Sequence, residues 1–263
     1  MPKPRVLILH ANGSNRDREA ALACAAAGGE PSVVHVNRLV AEPDLLTQSQ
    51  MLVLPGGFSY GDDLGAGKIW SLDLRFRFRD ALAEFHERRK PILGICNGFQ
   101  ALVKSGLLPG DNAEDTAGQT VTLTRNLSAR FECRWVYLRP DPASVCVFTL
   151  GLHELVYCPV AHGEGRLVPA NDAVLAQLQA GGQIALAYAL EDGAPAGGAY
   201  PQNPNGSAAD IAGICDTSGT VLGLMPHPED HLFGLQHPRA SRGERGMLGL
   251  PLFRNGVRYA AGL

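Results

Sequence analysis

A chain of 263 residues can bury one large core, and its composition, 45% apolar against 19% charged, is that of a globular protein. The formal charge of −3 leaves no electrostatic footprint for nucleic acid, and no apolar run approaches a membrane span, so neither partner is expected. The six cysteines form no C-x-x-C pair and no secretory signal precedes the first strand-like run, which argues against disulfides and a structural zinc site and for the reducing cytoplasm.

Arg5 to Leu9 reads as a buried strand, followed by the polar turn Asn12-Gly13-Ser14-Asn15 and an alanine-rich helix from about Arg18 to Ala27. Ser32 to Val36 and Met51 to Leu54 are the next strands, the latter ending in Pro55-Gly56-Gly57. Arg79 to Arg88 has helical spacing, and Pro91 to Ile95 is a strand. Strands alternating with helices predict a parallel sheet covered on both faces. Arg75, Arg77 and Arg79 alternate with Phe76 and Phe78, which reads as a solvated helix or a protein interface in preference to an RNA-stacking face.

The middle changes character. Thr120 to Leu123, Phe131 to Leu138, Val145 to Thr149 and Leu155 to Pro159 are short β-rich runs, expected to add antiparallel strands at a sheet edge. Val174 to Ala180 is read as a helix and Gln183 to Ala189 as a strand. Glu191 to Asp210, rich in Gly, Pro, Asn and Ala, is expected to form a long surface loop of the kind that is often functional. Val221 to Met225 is the last core strand, ending at Pro226-His227-Pro228-Glu229. With neither an internal repeat nor a linker, residues 1–263 are expected to form a single domain.

Cys96 is the residue richest in chemistry. Gly94-Ile95-Cys96-Asn97-Gly98 joins the strand at 91–95 to a helical run through Phe99, Leu102 and Val103, so the thiol sits on a strand–turn–helix elbow. Unpaired N–H groups and the positive dipole end at a helix start favour a reactive thiolate. The same residues also fit a buried structural cysteine between two packing glycines. The other five cysteines are read as small core hydrophobes.

In a parallel α/β sheet, chemistry collects at the carboxyl ends of the strands, where the segments 55–62, 94–98 and 226–229 all fall. His227 and Glu229 flank Pro228, which forbids a regular helix, and in an extended segment both side chains face the same way. Together these make a thiol triad: Cys96 attacks, His227 moves the proton, and Glu229 fixes the imidazole tautomer. The N–H groups at Gly56-Gly57 and at Asn97 are free to face a developing oxyanion. Asp62-Asp63 lacks a second ligand cluster, and no metal is expected.

Five motifs then carry a resemblance: Pro55-Gly56-Gly57-Phe58-Ser59-Tyr60-Gly61-Asp62, Gly94-Ile95-Cys96-Asn97-Gly98-Phe99-Gln100, Val160-Ala161-His162-Gly163-Glu164-Gly165, Asn203-Pro204-Asn205-Gly206-Ser207 and Met225-Pro226-His227-Pro228-Glu229. From about Val6 to Glu229, in order, they resemble the class I, triad-type glutamine amidotransferases, and within them the glutaminase component of phosphoribosylformylglycinamidine synthases. The resemblance implies a flavodoxin-like three-layer α/β sandwich with a mainly parallel central sheet and additional antiparallel strands. It implies hydrolysis of L-glutamine through a thioester on Cys96, with His227 and Glu229 completing the triad and oxyanion donors from Gly57 and Asn97. Ammonia would pass to a separate synthetase subunit, which uses ATP and magnesium at its own site to make the amidine in de novo purine synthesis, with a small third subunit as a further partner. No cofactor is implied in this chain.

Phe58, His162, Asn205 and Ser207 are further candidates for contact with substrate or partner, His162 against the plainer reading of a structural turn. Two departures from the family pattern stand out: Asp230 where many relatives carry Arg, and Arg16 where many carry Cys. The rival readings are a glutaminase subunit of another synthetase, a stand-alone cysteine amidase, and a non-enzymatic regulatory subunit.

Overall fold

The computed structural model describes residues 2–110 and 119–263. In the first half, β1 (Arg5–His10), α1 (Asp17–Ala26), β2 (Glu30–His35), α2 (Val36–Ala41), α3 (Asp44–Thr47) and β3 (Met51–Leu54) follow one another. Next come α4 (Lys68–Leu72), a π-helical turn at Asp73–Arg77, α5 (Arg79–Glu87), β4 (Ile92–Ile95) and α6 (Asn97–Ser105). The second half holds β5 (Val121–Thr124), β6 (Glu132–Pro140), β7 (Val156–His162), β8 (Arg166–Pro169), α7 (Asp172–Ala180), β9 (Ile184–Ala189), β10 (Ile211–Cys215), β11 (Val221–Leu224) and α8 (Leu250–Ala261).

Among the described residues, nine strands form one sheet in the order β2-β1-β3-β4-β11-β10-β9-β6-β7, and β5 pairs with β8 in a separate two-stranded sheet. From β2 to β11 every neighbouring pair is parallel, and from β11 to β7 every pair is antiparallel. β1, β3, β4 and β11 are apolar and almost wholly buried, as strands covered on both faces must be. The chain leaves β1 toward β2 on one side and returns to β3 on the other. This is a topological switch point, where loops diverge and a ligand crevice opens.

Glycines set how closely α6 lies on this sheet. Gly94 of β4 and Gly223 of β11 are cross-strand partners. A Cβ on Gly94 would stand 2.4 Å from Leu102 Cδ1, and one on Gly223 2.0 Å from Phe99 Cδ2. Gly98, in the first turn of α6, comes so near β3 that a Cβ there would be 2.0 Å from the Leu54 carbonyl oxygen. The helix therefore sinks into a trough, and nearly all its residues are buried, including Phe99, Leu102 and Val103. Burial of each of these side chains contributes about 2 kcal/mol. Gly94 and Gly98 serve packing, while Cys96 between them takes the unusual backbone.

The structure corrects several expectations. Val145–Thr149 forms turns instead of a strand: Cys146 and Phe148 are buried in alternation, but Val145 and Val147 donate to the Gly182 and Gly219 carbonyls of loops, so no ladder forms. Cys133 is exposed on β6 instead of buried; the other four cysteines outside the elbow are buried, and all six are free. Phe76 is exposed while Phe78 is buried, so the two rings share no face for stacking. The 191–210 loop is only partly superficial, since Asn203, Asn205 and Ser207 are buried. Among the described residues no helix is long and apolar enough to cross a membrane.

Candidate active site

β4 ends at Ile95 and α6 begins at Asn97, leaving Cys96 alone on the turn with φ 49° and ψ −103°. A left-handed φ on a residue with a side chain costs about 1–3 kcal/mol and marks a position that its surroundings enforce. Here Cys96 N–H donates to the Leu224 carbonyl at 2.8 Å, tying the elbow to the end of β11. The thiol lies 3.7 Å from the Ala161 carbonyl of β7 and is 5% exposed.

Past β11, Pro228 starts a 3-10 turn at Pro228–Asp230, so this segment is coiled where an extended run was expected. The turn still brings Glu229 onto His227, because a single tight turn folds the carboxylate back on the residue before the proline. Glu229 Oε1 accepts from His227 Nδ1 at 2.7 Å, both side chains being buried. His227 N–H donates to the Pro159 carbonyl at 2.8 Å, so β7 steadies the histidine as well as the thiol. Burial pulls His227 toward the neutral ring, but the Glu229 carboxylate and the neighbouring Cys96 sulfur outweigh it and hold the imidazole well above the usual histidine range. Nε2 has no hydrogen-bond partner among the described residues. Gly56 is what lets the ring in, since a Cβ there would be 2.6 Å from His227 Cε1.

The loop after β3 closes the other side. Gly57, at φ 143°, pairs with Ser14 of the turn after β1, so close that a Cβ would be 2.7 Å from Asn15 N. Phe58 N–H donates to Gly13 O at 3.0 Å, and Asn15 N–H to Gly56 O at 3.3 Å. The Gly57 and Asn97 N–H groups donate to no atom among the described residues; Asn97 follows Cys96 in the chain, and Gly57 lines the same cavity. Gly57, Phe58, Asp62, Cys96, Gln100 and His162 help line a cavity of about 180 Å³, below the range of drug-sized ligand sites.

His162, at the end of β7, lines this cavity but is buried. Asn126 donates through Nδ2 to the His162 carbonyl at 2.8 Å, which orients its Oδ1 to accept from His162 Nδ1 at 3.1 Å. Burial, then the proximity of His227, push the ring down to about 3, so it stays neutral. Phe58 is 46% exposed and stacks on Phe131 at the cavity rim. Asn205 and Ser207 face inward: Asn205 Nδ2 donates to Gly165 O at 2.8 Å and to Tyr188 Oη at 3.0 Å, and Ser207 Oγ accepts from Leu167 N–H at 3.0 Å. They hold the 162–165 turn from beneath.

Sequence reasoning passed over Asp62, Gln100 and Glu164 as site residues, although all three stood inside quoted motifs; they line the cavity. Gln100 Nε2 donates to Glu164 O at 2.6 Å. The two departures noted in the sequence meet: Arg16 Nε lies 3.5 Å from Asp230 Oδ2. Burial and the Glu229 charge still raise Asp230 to about 6, against the pull of His227 and Arg16. His227, Glu229 and Asp230 also bring ligand atoms within 4.8 Å of one another, the one such trio of His, Cys, Asp and Glu among the described residues.

The geometry now has counterparts. A family model described as the CobB/CobQ-like glutamine amidotransferase domain matches residues 3–260. The chain belongs to this glutamine amidotransferase family. It is 48% identical to phosphoribosylformylglycinamidine synthase subunit PurQ of Treponema denticola, over 98% of this chain and 99% of the relative. To the PurQ subunit of Dehalococcoides mccartyi it is 46% identical, over 99% of each chain. A chain in the structure of PurLQS from Thermotoga maritima superposes with a TM-score of 0.74 at 33% identity, covering 98% of this chain and 99% of that one. The glutaminase domain of Trypanosoma brucei CTPS, at 14% identity and a TM-score of 0.57 over 98% of this chain and 94% of that one, shares the amidotransferase fold.

Proposed function

We propose that this chain is the glutaminase subunit of a phosphoribosylformylglycinamidine synthase. The observation that carries the reading is the strained Cys96 with its sulfur near a His227 that is hydrogen-bonded to buried Glu229, together with two backbone donors that have no partner among the described residues. With the Cys96 proton held on His227, whose affinity for it is raised by Glu229 and the sulfur, the sulfur attacks the carboxamide carbon of L-glutamine. The oxyanion of the tetrahedral adduct is stabilised by the N–H groups of Gly57 and Asn97. Collapse of the adduct breaks the C–N bond, His227 returns its proton to the leaving nitrogen, and ammonia departs from a thioester. Water, deprotonated by His227, then hydrolyses the thioester to glutamate and restores the thiol. Glu229 holds the tautomer and balances the imidazolium without carrying a proton itself.

Ammonia passes to a synthetase subunit that converts formylglycinamide ribonucleotide to the amidine with ATP and magnesium at its own site, a small third subunit completing the assembly. The PurQ relatives and the PurLQS neighbour support this choice of partner. The chain is read as one amidotransferase domain acting in the cytoplasm. Phe58 and His162 are the cavity-lining residues proposed to contact glutamine or respond to the partner.

The test is amidine formation by the assembled complex with glutamine or with ammonium as nitrogen donor. Cys96→Ala should abolish glutamine use and leave ammonium use intact. Loss of both would remove Cys96 from glutaminase chemistry and make it a structural residue.

A further inference from the structure

The side chain of Asn97 does work that its backbone N–H alone would not require. It is 1% exposed and each of its polar atoms is engaged. Asn97 Oδ1 accepts from Ser59 N–H at 3.0 Å. Asn97 Nδ2 donates to Asp62 Oδ1 at 2.8 Å and to Gln100 Oε1 at 3.0 Å. Two of these bonds reach across to the loop that carries Gly57, which is two residues before Ser59. That loop needs an external tie, since Tyr60, Gly61 and Asp62 all hold positive φ, a run that local preference opposes. On its far flank it is fixed to the 12–15 turn by Phe58 N–H and Tyr60 N–H. On the side of α6, Asn97 fixes it through Ser59 N–H and Asp62 Oδ1.

We infer that the Asn97 carboxamide is a positioning device that sets the spacing between the two oxyanion donors. One residue offers a donor through its backbone and aligns the other, Gly57 N–H, through its side chain. This deepens the proposed glutaminase function and rests on it. A buried amide bonded at both ends is well suited to the task, because any shift of the loop leaves a polar atom unpaired in a water-poor site. Positioning matters at this scale because an oxyanion donor acts only within hydrogen-bond reach of the atom on which charge develops.

The experiment uses the chain assembled with its synthetase. Asn97→Ala removes all three bonds. Asn97→Asp keeps the acceptor for Ser59 but sets a carboxylate against Asp62, and the pair Asp62→Asn with Asn97→Asp restores a donor–acceptor contact in reverse. Two rates are measured for each: glutamine hydrolysis, and alkylation of Cys96 by iodoacetamide followed by peptide mapping. Alkylation needs the thiol and no oxyanion donors. The expected result for Asn97→Ala is a kcat lower by about 10–100-fold, with KM and the Cys96 alkylation rate within about threefold of the parent. The double variant should recover at least part of the loss seen with Asn97→Asp alone. An unchanged kcat, or alkylation falling in step with hydrolysis, would overturn the assignment, the second by showing that Asn97 shapes the elbow itself. If the parent complex fails to hydrolyse glutamine, it is the proposed function that falls instead.

Discussion

Gly98→Ala tests how the site is held together. In the first turn of α6, a Cβ would lie 2.0 Å from Leu54 O and 2.7 Å from Leu54 C, both main-chain atoms of β3 that no rotamer change can move. Real Cβ atoms essentially never come nearer than 3.0 Å, so helix and strand must part by about an ångström. Forcing an extra carbon into a packed core costs about 1–3 kcal/mol, and a rigid backbone obstacle puts this case near the top of that range. For a chain of this size the melting temperature should fall by about 6–10 °C. The same displacement moves Cys96, next to the start of α6, away from Gly57, just past the end of β3. An ångström of misplacement in a reacting site costs about 100-fold in rate. The assay pairs thermal melting with glutamine-dependent turnover in the complex, and Gly246→Ala, which meets no atom within 4 Å, serves as control. A Gly98→Ala protein with the parent's melting temperature and turnover would refute the trough as the device that places the thiol.

Three further outcomes are expected. Glu229→Gln should fold and should lower turnover by about 100-fold or more, yet leave more activity than Cys96→Ala, because the carboxylate orients and charges the histidine without transferring a proton; equal residual rates would mean its role is larger. His162 stays neutral down to about pH 3 in the fold but takes a proton near 6.5 when unfolded, so the unfolded state binds more protons in this window and stability falls as pH drops through it. His162→Gln should flatten the acid limb of urea stability between pH 6.5 and 4, and an unchanged slope would contradict the burial argument. Asp230 behaves in the opposite sense: its folded value of about 6 lies above the ordinary 3.8, so it holds its proton longer in the fold and stability falls as pH rises through that interval. Asp230→Asn should therefore gain about 1 kcal/mol at pH 7.5, after discounting for its partial exposure and the lost Arg16 pair, and little at pH 4.

The strands that deliver the site were legible because they are buried on both faces and end in polar or glycine-rich turns; β1, β3, β4 and β11 needed nothing else. What escaped had its reason for existing elsewhere in the fold. β8 and β10 are short, and β10 follows directly on a loop whose composition hides where it ends. α8 contains Asn255-Gly256, which reads as a break, but Gly256 is there because Phe148 packs on it: a Cβ would meet the ring at 2.4 Å. Val145–Thr149 shows the converse, an alternation of burial without a partner strand. In the site, residue types and order gave Cys96, His227 and Glu229. They gave no hint that Arg16 and Asp230 would meet, or that Asn97 would act through its side chain, because both depend on distances between loops that are far apart in sequence.

The left-handed backbone of Cys96 has a consequence for the protein's thermal history. Glycine adopts such a conformation with little penalty, whereas every residue with a Cβ strains there. Cys96→Gly should thus melt higher than the parent by a margin of about 1 kcal/mol, while Cys96→Ala gains nothing of the kind. The glycine variant would be the more heat-resistant chain and, on the proposed function, an inactive one. Relieving this strain would remove the thiol that the proposed glutaminase chemistry requires, so at this one position stability and that chemistry pull in opposite directions.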